Sequence, residues 1–205
     1  MIVIIDYGMG NVGSIRNMLK HCGHDAVISR ETAAIRAAQK LILPGVGSFD
    51  AGMRNLHAFG LVDLLTEVVL DRQTPILGIC LGMQLLSRGS EEGSSPGLGW
   101  VCADTVRFQF ADEVRARRIP HMGWSPITCG NGVRLFQALP PDPRFYFVHS
   151  YHLKCDDQAD VIAWATYGYP FAASVQRGNV FGVQFHPEKS HKFGLTLLKS
   201  FAQDV

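Results

Sequence analysis

The stretch Pro75-Ile-Leu-Gly-Ile-Cys80-Leu-Gly-Met-Gln84 decides the reading of this chain: the apolar run at 75–79 passes directly into Cys80 and a helix-favouring segment from Leu81 to Arg88. A short, continuous apolar run is the signature of a strand buried on both faces of a parallel sheet. Gly78 and Gly82 stand two residues before and two after Cys80. That spacing of small residues allows the tight strand-to-helix turn of a nucleophile elbow, which lifts the central side chain clear of the sheet. The N-terminus of the following helix favours a thiolate, and the Leu81 amide would face an oxyanion developing on a substrate. The plain alternative is a small buried cysteine in a core strand, the commoner fate of a lone cysteine. A base is needed to decide between them.

Working outward toward the N-terminus, IVIID at 2–6 is a second continuous apolar run, ending at the glycine-rich stretch Gly8 to Gly13. From Ser14, read as an N-cap, the residues Ile15, Met18, Leu19 and Cys22 recur at helical spacing, and Gly23 supplies a stop. The pattern continues as a strand near 25–29, a helix near 31–39, a strand at 40–43 and a helix near 61–70. Strands alternating with helices predict a three-layer α/β fold with a central, mostly parallel sheet. Chemistry then belongs at the carboxyl ends of the strands. After about residue 100 the texture becomes β-rich, with runs at 102–110, 144–151, 161–167, 171–176 and 180–185, a hairpin turn at Arg177-Gly178-Asn179 and a closing helix near 191–203. With no long linker between the halves, these runs are expected to extend the same sheet in mixed or antiparallel fashion, and residues 1–205 to form a single domain.

The base appears at the end of the run 180–185, in Gln184-Phe185-His186-Pro187-Glu188. A strand-end imidazole can take the thiol proton, and a carboxylate two residues on can orient the ring. His149 and His152 also sit at a strand end, but neither is followed closely by a carboxylate, so they read as pocket or structural residues. Pro44-Gly45-Val46-Gly47, after the strand 40–43, would bring a backbone amide to the same sheet edge as a second oxyanion donor; an ordinary turn is the bland reading.

Composition removes several classes of function. Lys plus Arg total 19 and Asp plus Glu 18, leaving a formal charge of +1 and no broad basic field for nucleic acid. The densest basic cluster, Arg115, Arg117 and Arg118, reads as a solvated edge. The five cysteines form no C-x-x-C pair, so neither a disulfide scaffold nor a zinc knuckle is signalled, and a reducing compartment is expected. His21, Cys22 and His24 have the right atoms for a metal but lack further ligands. The opening MIVIID lacks a signal-peptide pattern and no apolar run approaches the ~20 residues that span a bilayer, so a cytoplasmic protein is expected.

Taken together, LPGVGSF, GICLGMQ and HPEKS resemble the class I, triad-type glutamine amidotransferases, with their flavodoxin-like fold, in the right order along the whole chain. DYGMGN at 6–11, SEEG at 90–93, PHMGW at 120–124 and YFVHSY at 146–151 are similar to the HisH-type glutaminase subunits of imidazole glycerol phosphate synthase. The resemblance implies Cys80 as nucleophile, His186 as general acid and base, and Glu188 as third member of a triad. It implies oxyanion donors at Leu81 and around Val46 and Gly47, and L-glutamine held by Gln84, Glu92, His149 and Ser150. It implies no metal and no cofactor. It further implies a HisF-type (β/α)₈ cyclase partner in a heterodimer, met by Asn11, Met122, Trp124 and Lys189. Ser125 departs from the asparagine usual in the histidine-pathway branch. FHPEKSHKF at 185–193 and Cys155-Asp156-Asp157 also resemble relatives that supply ammonia to sugar amidotransferases of surface-polysaccharide synthesis. A stand-alone cysteine hydrolase of the same superfamily is the competing class, disfavoured because such relatives lack the His-Pro-Glu segment.

Overall fold

The computed structural model describes residues 1–111 and 117–205; Arg115 of the basic cluster lies outside the described residues. The continuous apolar runs form the heart of the sheet. Strands β1 (Ile2–Ile5), β2 (Ala26–Ser29), β3 (Lys40–Gly45) and β4 (Ile76–Cys80) are followed by α1 (Val12–His21), α2 (Thr32–Arg36), α3 (Phe49–Ala58) with α4 (Leu61–Thr66), and α5 (Leu81–Leu85) respectively. The second half adds β5 (Ala103–Arg107), β6 (His121–Pro126), β7 (Thr128–Cys129), β8 (Arg144–His149), β9 (Tyr151–Cys155), β10 (Val161–Tyr167), β11 (Tyr169–Arg177), β12 (Val180–Val183) and α6 (His191–Asp204).

Eight strands make one sheet in the order β2-β1-β3-β4-β12-β11-β10-β7. The first five run parallel, and β11, β10 and β7 continue antiparallel. Alternation within the strands divides the apolar side chains between two cores. Val3, Ile5, Leu41 and Leu43 pack with α3 and α4 on one face, while Ile2, Ile4 and Ile42 pack with α1 and α6 on the other. Each core removes a helix's apolar stripe from water, the dominant favourable term in folding.

Four expectations change. Ser14 lies inside α1: the Asn11 carbonyl already accepts from the Ile15 N–H, so the helix starts three residues earlier and Asn11 is its N-cap. Helix α3 and strand β6 were not anticipated. Helix α5 stops at Leu85 rather than Arg88, because the Leu86 N–H bonds back to Met83 and the Ser87 hydroxyl takes the Gln84 carbonyl. The runs at 102–110 and 144–151 do not join the large sheet; they pair as two separate ladders, β5 with β9 and β6 with β8.

Candidate active site

Cys80 is the last residue of β4 and the first after which the chain turns into α5. It adopts φ 53° and ψ −110°, a conformation that a side-chain-bearing residue rarely holds without surrounding packing to enforce it. The packing is visible in the flanking glycines. A Cβ on Gly82 would lie 1.8 Å from the Leu43 carbonyl oxygen, and one on Gly78 would lie 2.7 Å from the Gly82 carbonyl oxygen. Only glycine lets α5 cross this close over β3 and β4.

The next strand, β12, pairs in parallel with β4, Val183 beside Ile79, and thereby delivers residues 184–188 to the same edge. His186 Nδ1 donates to Glu188 Oε1 at 2.8 Å, with both side chains about 1% exposed. Among the described residues, the buried His186 Nε2 has no hydrogen-bond partner apart from its interaction with the Cys80 sulfur, and the two side chains line one cleft. Burial alone depresses the imidazole pKa, but interaction with the Cys80 sulfur and with Glu188 outweighs it and pushes His186 up to about 9. The imidazole is therefore primed to hold a proton beside the sulfur. Tyr7, whose hydroxyl donates to the Pro44 carbonyl at 2.6 Å, is buried beneath; its pKa is raised by burial and then by Cys80.

The cleft encloses about 280 Å³ and is lined by Val46, Gly47, Leu81, Gln84, Glu92, His149, Ser150 and Lys189, among others. This volume lies near the small end of ligand sites, ~300–1,000 Å³. All four residues expected to hold substrate thus line the same cleft as Cys80. Glu92 is exposed at the rim, its Oε2 accepting from the Phe49 N–H at the start of α3 at 2.8 Å, so its carboxylate is set where an ammonium group could reach it. Gln84 is less free than expected. Its Nε2 donates to the Tyr151 carbonyl at 3.0 Å and to Gln184 Oε1 at 3.2 Å, which uses both amide hydrogens. A larger hollow of about 680 Å³ is lined by Ser90, Glu91, Asp104, Lys154, Cys155 and Asp156, but no described histidine lines it, and burial, then Asp160 and Asp156, push the Cys155 thiol up to about 12. Among the described residues no three His, Cys, Asp or Glu side chains gather as a metal site.

Of the residues expected at a partner surface, Met122 is 62% and Trp124 44% exposed on β6, and Val46 is 51% exposed at the mouth of the cleft. Trp124 stacks on His191 with ring centroids 5.6 Å apart, and the Lys189 ammonium lies 5.7 Å from the Tyr146 ring. Asn11 is exposed at the start of α1. The sequence reading assigned no role to Gln184 or His121. Gln184 stands two residues before His186 and its Nε2 lies 3.9 Å from the Cys80 sulfur, a placement that the alternation of an extended segment could have indicated.

A cysteine at positive φ in a strand-to-helix elbow and a buried His–Glu pair at the neighbouring strand end meet at one edge of a mostly parallel α/β sheet. The chain belongs to the class-I glutamine amidotransferases, whose family pattern matches residues 3–205. Along its full length, and the full length of each relative, it is 50% identical to imidazole glycerol phosphate synthase subunit HisH 2 of Pseudomonas aeruginosa and to the subunit of the same name of Methanococcus maripaludis. The fold also matches the structure of PurLQS from Thermotoga maritima, with a TM-score of 0.73 at 17% identity over 98% of this chain and 96% of that one.

Proposed function

We propose that this chain is the glutaminase subunit of an imidazole glycerol phosphate synthase. In this reading it hydrolyses L-glutamine to glutamate and ammonia and delivers the ammonia to a HisF-type (β/α)₈ cyclase. The observation that carries the reading is the buried His186 imidazole, held by Glu188 and interacting with the Cys80 sulfur in one cleft.

The chemistry follows from that arrangement. With the thiol proton on His186, the Cys80 sulfur attacks the side-chain amide carbon of glutamine, and the carbonyl electrons move to oxygen. Amides at Leu81 and around Val46 and Gly47 stabilise that oxyanion; one such donor is typically worth ~3 kcal/mol of barrier. His186 Nε2 gives its proton to the departing nitrogen as the C–N bond breaks, releasing ammonia and leaving a thioester. Water then gives a proton to Nε2 and adds to the thioester carbon, and collapse of the second intermediate expels the Cys80 thiolate with glutamate. Glu188 keeps the proton on Nδ1, so that Nε2 always faces the reacting atoms. Glu92 meets the substrate ammonium, and Gln84, His149 and Ser150 shape its pocket.

Residues 1–205 act as one unit in this reading, since both cores share the eight-stranded sheet. Five free cysteines suit a reducing, cytoplasmic setting, and no described helix is long and apolar enough to cross a membrane. Val46, Met122 and Trp124 form the apolar part of the cyclase-facing surface, with Asn11 and Lys189 beside them.

The test is Cys80→Ala assayed for glutamate release, with and without the cyclase. Loss of turnover with retained cyclase binding is expected; turnover in the variant removes the nucleophile. Complementation of a strain lacking its own glutaminase subunit for histidine synthesis separates the acceptors: intact glutamine turnover without growth points instead to the sugar amidotransferase branch.

A further inference from the structure

The Tyr151 carbonyl oxygen can only accept hydrogen bonds, and that one fact fixes the orientation of five side chains. On one side it takes the Gln84 Nε2–H at 3.0 Å, which sets the Gln84 amide. The atom of Gln184 facing the same Gln84 nitrogen at 3.2 Å must then be its oxygen, leaving Gln184 Nε2 to point at the Cys80 sulfur at 3.9 Å. On the other side, His149 Nδ1 lies 2.8 Å from the same carbonyl and must carry hydrogen. His149 Nε2 is then an acceptor for His121 Nδ1–H at 3.0 Å, and His121 Nε2 in turn accepts from the Ser125 hydroxyl at 2.9 Å. Burial lowers the pKa of both histidines, His121 to about 4, so each stays neutral with a single N–H to place. Rings above and below hold His121 in plane: Tyr167 at 4.1 Å and Phe147 at 4.9 Å between centroids.

We infer that Gln184 is a positioning residue whose amide N–H faces the Cys80 sulfur and stabilises negative charge on it, and that Gln84, itself fixed by the Tyr151 carbonyl, keeps that amide the right way round. An N–H aimed at the sulfur stabilises the anion and selects its rotamer, and a reversed amide would turn a carbonyl oxygen on it instead. The antiparallel register of β6 and β8, which sets His121 opposite His149, carries a second branch from the same carbonyl out to Ser125, and that branch leaves the Gln84 amide unchanged. This rests on Cys80 being the nucleophile, but its readout does not require glutaminase activity.

The experiment follows the pH dependence of Cys80 alkylation by iodoacetamide, with the labelled peptide quantified by mass spectrometry. The titratable groups around the sulfur are His186 with Glu188 behind it, Tyr7, and His149, Glu92 and Lys189 lining the same cleft, and all stay in place. Gln184→Met keeps the volume and removes the donor. Its alkylation midpoint should rise by about one pH unit, the scale of one lost hydrogen bond to a charge. The turnover number should fall about tenfold with KM for glutamine little changed. An unchanged midpoint in folded protein overturns the role of Gln184. Gln184→Glu keeps the shape and the bond from Gln84 Nε2 and covers the case in which Gln184→Met does not fold. It replaces the N–H facing the sulfur with an acceptor and should raise the midpoint further. A midpoint that Gln184→Glu leaves where it is overturns the role of Gln184 as well. Glutamine turnover in Cys80→Ala would instead overturn the glutaminase mechanism itself.

Discussion

At the scale of single residues, the site is governed by competition between burial and pairing at His186. Desolvation acts to remove its proton, while the Cys80 sulfur and Glu188 act to keep it, and the balance lies at about 9. Glu188→Gln removes one of the two opposing partners without changing shape. The His186 titration midpoint, followed by imidazole NMR, should therefore move down, and the turnover number should drop by at least about 100-fold, because the ring loses both its tautomer bias and the charge that stabilises imidazolium. A midpoint unmoved from 9 would mean that Glu188 plays no electrostatic part. Cys80→Ala should lower the same midpoint, since it also removes a partner that favours the charged ring.

At the scale of elements, β6 joins the surface to the cleft: Met122 and Trp124 face outward, while His121 points into the aromatic cluster. Trp124→Ala should weaken cyclase binding by ~2 kcal/mol, roughly 30-fold in Kd, as expected of an exposed aromatic anchor. The midpoint of chemical unfolding should hardly move, because the ring is 44% exposed. Titration calorimetry reads the first and urea denaturation the second; equal losses in both would make Trp124 a packing residue. This strand was also the hardest to see in the sequence. The parallel strands were legible because each is an unbroken apolar run, and Cys80, His186 and Glu188 because each sits in a short motif at a strand end. HMGWSP over 121–126 interrupts its alternation with Gly123 and Pro126 and carries no such run. Helix α3 was missed although Phe49, Met53 and Leu56 recur at helical spacing, because Gly52 and the charged Asp50 and Arg54 dilute the signal; Gly52 is needed where Leu85 of α5 packs within about 3.0 Å of its missing Cβ. The hydrogen bonds that join Ser125, His121 and His149 could not be read at all, since they depend on a register joining residues 28 apart.

At the scale of the whole molecule, three buried histidines make stability depend on pH well above the range where carboxylates titrate. His121, His149 and His152 are each under 10% exposed, and burial lowers the pKa of all three. In the unfolded chain they titrate near the ordinary value of 6.5, so below that pH the unfolded state binds protons that the native state refuses. Stability then falls on acidification, with a slope of about 1.4 kcal/mol per pH unit for each fully shifted group. The window opens at 6.5 and closes, for His121, near 4. His186 contributes with the opposite sign: its folded value of about 9 exceeds the unfolded one, so its stabilisation is complete below 6.5 and fades as pH rises through 9. The two effects place maximal stability near neutrality. Domains of this size hold ~5–15 kcal/mol in all. Urea midpoints measured from pH 7 down to pH 5 should therefore fall steeply, and by less in His152→Phe, which removes one of the three proton acceptors. A flat profile over that interval, with loss only below pH 4.5, would assign acid unfolding to the surface carboxylates Asp50, Glu67, Asp104 and Asp156, whose pKa values are lowered by hydrogen bonds and ion pairs rather than to the histidine cluster.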